Sequence, residues 1–195
     1  MGRRERPAPA RWQRSTRLAE RRTLMAHADI DPATPPRRRI GAVVLVRNRH
    51  GDVLMVKPRY KHAEEKQGWQ LPGGGVHQGE TVAAAAVREL REETSLTRHI
   101  THALVIDQVP ASEDGSSAEG YNIVVDGGTL DPDQAAAVTL PESAHDELSA
   151  VEWVPMGQLD ALAFPYQAAR VRAAVRAHDF GMRLPLYQHG KPADA

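Results

Sequence analysis

Three glutamates, Glu89, Glu92 and Glu93, stand at i, i+3 and i+4 in the run V-R-E-L-R-E-E-T. On a helix, at roughly 100° per residue, they share one edge. Like charges at that spacing repel by about 0.2–0.5 kcal/mol per pair, and acids near a helix C-terminus oppose its dipole. Arg88 can pair with Glu92 one turn on, yet one arginine cannot neutralise three carboxylates. A hard divalent cation such as Mg²⁺ can, because it takes oxygen ligands and is usually held by a couple of carboxylates, water and substrate phosphates. Read alone, the same edge also suits a solvated acidic surface. Directly ahead, however, lie Gly73, Gly74, Gly75 and Gly79, a loop able to bend tightly and bring its backbone close to phosphate or metal.

The helix carrying those acids is legible from its ends. Thr81 is a fitting N-cap. Ala83, Ala86, Val87 and Leu90 then fall at i, i+3, i+4 and i+7, an apolar stripe meant for a core. Four consecutive alanines favour the helix intrinsically.

Residues 74–96 resemble the signature of the Nudix hydrolases, G-x5-E-x7-R-E-U-x-E-E-x-G-U with U aliphatic. The match falls on Gly74, Glu80, Arg88, Glu89, Leu90, Glu92, Glu93 and Leu96, and Ser95 stands where the pattern has glycine. The resemblance implies an α/β fold, an α/β/α sandwich around a mixed β-sheet, over roughly residues 39–178. It implies hydrolysis of a phosphoanhydride in a nucleoside diphosphate linked to another moiety: a dNTP, ADP-ribose, a nucleotide sugar or similar. It also implies Mg²⁺, with Mn²⁺ as a substitute, held by Glu89, Glu93 and Glu92 and by a carbonyl at Gly74 or Gly75. Glu92, Glu93 and Arg88 carry the catalytic role in that reading, with Arg88 and Glu80 orienting the other carboxylates. An ordinary surface ion pair would equally explain Arg88 and Glu80. Serine at position 95 is expected to alter the turn after the helix at a cost of about 1 kcal/mol.

Phosphoanhydrides resist hydroxide because they are polyanions, a charge that a held divalent ion screens; in the enzymes this chain resembles, the general base lies in the helix or in a loop over the site. Candidates in loops are Glu142 and Glu147, with Asp146, Glu113, Asp114 and Glu119 beside them; each taken singly is also an ordinary surface acid. Gly75, Trp69 and Tyr121 are expected against substrate, with Tyr60 a further ring able to stack on a base, though Trp69 suits a core equally well. His77 reads as incidental. Pro110 resembles a proline that marks ADP-ribose hydrolases, or simply ends a strand. The contrasting reading is a Nudix-like nucleotide-binding regulator without turnover. Such modules usually lose box carboxylates, which are intact here. A prenyl diphosphate isomerase would use a cysteine, and the chain has none.

Several elements must position this machinery. Two apolar, β-branched runs at 40–46 and 53–57 flank a polar turn with Gly51 and predict a hairpin. Residues 69–72 predict a short strand entering the glycine loop, and 100–109 and 121–125 two more. Residues 130–145 read as an irregular excursion, 148–154 as a strand, 156–162 as a short helix and 166–178 as the closing helix. The domain is set at 39–180, with a basic extension and linker at 1–38 and a tail at 181–195.

Net charge is zero, but the first 39 residues hold 11 arginines against four acids, a local +7. That arm, with a helix able to form over 12–28, reads as a partner-packing or solvated segment, one partner being a second copy in a homodimer. Aromatic residues for stacking are scarce there, which argues against nucleic acid as a partner. Absence of cysteine rules out disulfides and thiolate chemistry. No apolar run approaches the ~20 residues of a membrane span, and the arginine-rich start lacks the apolar stretch of a secretory signal, so a cytoplasmic protein without a membrane partner is expected.

Overall fold

A computed structural model of the 195-residue chain describes residues 37–59, 67–113, 115 and 117–193. The expected N-terminal helix, Tyr60 and Asp114 lie outside the described residues. In chain order the elements are β1 (Arg39–Arg47), β2 (Val53–Pro58), β3 (Gly73–Gly75), α1 (Val82–Thr94), β4 (His102–Val109) and β5 (Gly120–Thr129). There follow α2 (Pro132–Ala136), β6 (Leu148–Val154), α3 (Leu159–Leu162), α4 (Pro165–Asp179) and the two-residue strands β7 (Leu184–Pro185), β8 (Tyr187–Gln188) and β9 (Lys191–Pro192).

The main sheet runs β6-β2-β1-β5-β4-β7, with β3 pairing onto β1 as well. β1 and β5 are parallel, Arg39 facing Gly120 and Val44 facing Val125, while the other pairings are antiparallel. The sheet is therefore mixed. Its central strand is buried on both faces, which is why 42–46 reads as unbroken apolar sequence rather than alternation. Ala42, Val44 and Val46 pack under α1 with Ala83, Ala86 and Leu90. Leu45, and Val43 beside it, pack on the other face with Val171, Ala174 and Val175 of α4. Helices on both faces make the expected α/β/α sandwich.

α1 begins where the sequence predicts: Thr81 is its N-cap and accepts from Ala84 N at 3.0 Å. Its end departs from expectation in an informative way. Ser95 adopts φ 61°, ψ 4°, the left-handed region, and its N–H closes on Arg91 O. The turn is thus kept and the serine absorbs the strain, rather than the loop changing course.

Other departures are local. Around residue 70 there is a single bridge, Gln70 to Val56, and the strand proper falls on the glycines of β3. The stretch 130–145 contains α2, opened by a capping box in which Asp131 and Gln134 bond each other's backbone. The stretch expected to trail as a tail is paired instead, β7 with β4 and β8 with β9, and Ala193 is buried.

Candidate active site

β3 lies antiparallel to β1, with Gly73 opposite Val43 and Gly74 opposite Ala42. Both glycines are required by their neighbours. At Gly73, φ is +137° and a Cβ would collide with the backbone of Ala42 and Val43. A Cβ on Gly74 would meet the carboxyl of Glu89 at 2.5–2.7 Å. Bare backbone is what lets this helix edge press its acids onto the strand.

Glu93 is the most enclosed of them, 9 % exposed, and its Oε2 accepts from Gly73 N at 2.7 Å. Burial pushes its pKa up to about 8; the charges of Glu89, Glu147 and Glu92 add to the rise, and the Gly73 amide opposes it. Glu89 is largely covered, whereas the Glu92 side chain is half exposed.

Arg88 spends its donors on this group. Nε and Nη2 reach the two oxygens of Glu80 at 2.9 and 3.0 Å, Nη1 reaches Glu89 at 2.7 Å and Glu92 at 3.3 Å, and Nη2 also reaches Gly75 O at 3.0 Å. The Arg88 hydrogen bonds hold the Glu80 carboxyl down at about 2, helped by the backbone N–H of His77. The Arg88 pKa is raised in turn, chiefly by Glu80. Three acids thus share one arginine, while the fourth, Glu93, has a single amide donor and like charges around it.

That imbalance tests the fit of a metal. As they stand, no three acids among the described residues are gathered into a ready metal cage. Arg88 and the Gly73 amide occupy oxygens that a cation would claim. In kind the donors fit a hard divalent ion: carboxylate oxygens in excess of positive charge, one of them buried, beside a strand of bare backbone.

The profile of the NUDIX domain matches residues 37–175. The chain belongs to the Nudix family. Among related proteins, the RNA pyrophosphohydrolase of Sphingopyxis alaskensis is 27% identical over 160 residues, 72% of this chain and 90% of that one. Nudix hydrolase 5 of Arabidopsis thaliana is 34% identical over 76 residues, 37% of this chain but 25% of that protein. The match to the RNA pyrophosphohydrolase of Vibrio atlanticus likewise spans 32% of that protein. The fold is that of the MutT protein from Methanosarcina mazei (TM-score 0.54, 23% identity, 74% of this chain and 95% of that one). It is also that of the NUDIX domain of Shewanella oneidensis NrtR complexed with ADP ribose (TM-score 0.55, 18% identity, 80% and 96%).

Within this Nudix fold the loop acids separate. Glu147 sits immediately before β6, close enough to Glu93 to raise its pKa. Glu142, on the 3-10 turn Glu142–Ala144, is exposed, and no hydrogen bond or ion pair joins its side chain to the cluster among the described residues. Asp146 and Glu113 are exposed, and Glu119 pairs with Arg38 at 2.8 Å.

Two expected substrate contacts are corrected. Trp69 is 6 % exposed and belongs to the core under α4. Tyr121 shares a strand face with Ile123 and Val125, so the alternation of β5 turns it away from Asn122 and from the cleft that Asn122 lines.

That cleft, about 460 Å³, opens beside the glycine strand. Gly74 and Gly75 line it, as do Asn122, Gln70, Gln167, Arg170 and Tyr166. Arg170 is buried and reaches Asp107 Oδ2 through both Nε and Nη2 at 2.7 Å. Its Nη1 donates to Gln167 Oε1 at 2.9 Å, and Gln167 donates onward to Gln70 at 3.4 Å. Tyr166, more than half exposed, lies against Arg170 and stacks on Phe164. Sequence reading missed this group. Its one trace was Tyr166, Gln167 and Arg170 close together on a helix, polar residues whose burial cannot be seen without the sheet.

Proposed function

We propose that this Nudix protein hydrolyses a phosphoanhydride bond in a nucleoside diphosphate linked to another moiety, and that it uses Mg²⁺, or Mn²⁺ in its place. The carrying observation is Glu93, a buried carboxylate held on the glycine strand with Glu89, Glu92 and Glu147 crowding it. A carboxyl so placed keeps its proton near neutral pH and would give it up to a divalent ion, a linkage that an ordinary structural acid has no use for.

Glu89, Glu92 and Glu93, with a carbonyl at Gly74, would hold the ion. When bound, a divalent ion offsets the charge of the phosphates and lowers the pKa of a water. Arg88 fixes Glu89 and Glu92 through the contacts already described, and ties them to Gly75 O. Glu147, whose charge acts on Glu93, would accept the proton. As the water oxygen bonds to phosphorus, the bridging P–O bond breaks, its electron pair leaves with the departing phosphate, and the water proton passes to the carboxylate. The cleft holds the rest of the substrate. Its amides at Asn122, Gln70 and Gln167 offer donors and acceptors of the kind a nucleobase edge needs, and Tyr166 offers a ring to stack on.

The test is turnover of a nucleotide panel with Mg²⁺: dNTPs, ADP-ribose, nucleotide sugars and 5′-triphosphorylated RNA, for wild type and Glu93→Gln in parallel. Product from wild type and a loss of about a thousandfold in the variant is the expected result. Saturable binding with no product from either would identify a nucleotide-binding regulator instead.

A further inference from the structure

Arg59 follows β2 directly, and among the described residues its hydrogen bonds reach backbone carbonyls and none of the acids of the cluster. Its side-chain Nε donates to His145 O at 2.5 Å and to Leu148 O at 3.1 Å, and its backbone N–H donates to Glu147 O at 2.8 Å. One arginine therefore grips the carbonyls of residues 145, 147 and 148. The loop so held begins at the 3-10 turn Glu142–Ala144, which packs against α1. It ends at Leu148, which pairs with Pro58 of β2.

The backbone of Glu147 is committed at both ends, its N–H to Ala144 O at 3.1 Å and its carbonyl to Arg59. Its carboxylate has no hydrogen-bond or ion-pair partner among the described residues, and it stands where its charge acts on Glu93. Little else holds it there. Ala144 and Leu148 are buried on Val56, but residues 145–147 between them are polar and exposed, and contribute no core contact of their own.

We propose that Arg59 is a positioning residue for catalysis: it clamps loop 145–148 so that the Glu147 carboxylate faces the Glu89–Glu93 edge, where it takes the proton of the attacking water. A guanidinium suits this role because its Nε–H is fixed in a rigid plane, from which the one hydrogen is shared between the His145 and Leu148 carbonyls. It also leaves the Glu147 carboxylate unpaired, as a salt bridge to it would not. The clamp rests on the hydrolase reading, since Glu147 has a proton to accept only if water is the nucleophile.

The test compares kcat and KM for Glu147→Gln, Arg59→Met, Arg59→Lys and the Arg59→Met/Glu147→Gln double variant, with amide exchange over residues 144–149 in each. Glu147→Gln is expected to lower kcat about a hundredfold. Arg59→Met, which keeps the aliphatic stem, should lower kcat ten- to a hundredfold with KM within about threefold, because an ångström of misplacement is enough for that. Arg59→Lys should recover part of the loss. The double variant should be no slower than Glu147→Gln alone, since a clamp has nothing to do once its carboxylate is gone. Exchange in the loop should quicken in Arg59→Met and stay at the wild-type rate in Glu147→Gln.

Losses that multiply in the double variant, a change confined to KM, or undisturbed loop exchange in Arg59→Met would each overturn the clamp. So would wild-type kcat in Glu147→Gln. In that last case product from wild type with an inactive Glu93→Gln still upholds the hydrolase, whereas no product from wild type overturns the hydrolase itself.

Discussion

The two faces of the sheet treat charge in opposite ways. Under α4, Arg170 is buried but complete: two bonds to Asp107, one to Gln167, and a ring against it. Under α1, Glu93 is buried nearly as deeply with one amide donor and three carboxylates near it. A buried charge that is paired holds its surroundings in place, whereas a carboxyl left among its own kind keeps its proton up to about pH 8 and stores free energy once ionised. The first face holds a complete ion pair, and the second an acid with a proton as its neutralising partner.

The sharpest way to break this contrast is Glu93→Gln. It should cost about a thousandfold in activity and yet stabilise the metal-free protein at alkaline pH. The folded pKa of about 8 lies above the unfolded value near 4.5, so the folded state holds this proton more tightly. Stability from that source is fully present below pH 4.5 and is lost as pH rises through 8. Denaturant titrations in chelator at pH 5, 7 and 9 should show wild type losing on the order of a few kcal/mol across that range, and Glu93→Gln much less. Equal slopes for both would remove the stored-energy account.

On the opposite face, Asp107→Asn strands the Arg170 charge and should destabilise by about 2–4 kcal/mol at every pH near neutrality, read by urea midpoint. A variant as stable as wild type would mean that Arg170 finds other partners and the completeness of that face is incidental.

The glycines sharpen the comparison further. Gly73→Ala meets backbone on β1 and should prevent proper folding, seen as poor soluble yield. Gly74→Ala meets the Glu89 carboxyl, a side chain that can swing away, and should lower kcat about tenfold or more while the melting temperature moves by a few degrees. Smallest of all is Ser95→Gly. It relieves a left-handed serine and should add about 1 kcal/mol or less without changing activity, because no carboxylate moves.

What the sequence disclosed follows the same division. The α1 face was readable because its parts are contiguous: cap, apolar stripe, acids and glycines fall within 23 residues, and local rules govern each. β6 was legible by alternation to the residue, Leu148–Val154. α2 carried a readable start in Asp131-Pro132-Asp133-Gln134, cap and N3 partner in sequence, but five residues are too few for a helical repeat to show, so the stretch reads as irregular. The cleft was not readable. Asn122, Gln167 and Arg170 become neighbours only when α4 lies over β5 and β4, and nothing in an isolated Tyr121 or Trp69 says which strand face or which depth it will take. The proximity of Glu147 to Glu93 is of the same kind, set by pairings between β2 and β6 far apart in the chain.

The contacts of Arg88 carry a practical corollary. Its guanidinium already serves Glu80, Glu89 and Glu92 as a built-in counterion, so if the proposed divalent ion is removed by a chelator, one cation's influence is exchanged for another's and the acid cluster holds together. Purified under such conditions, the protein should stay folded and recharge on simple addition of salt. Its appetite for the ion will then be set by how readily that side chain yields its grip.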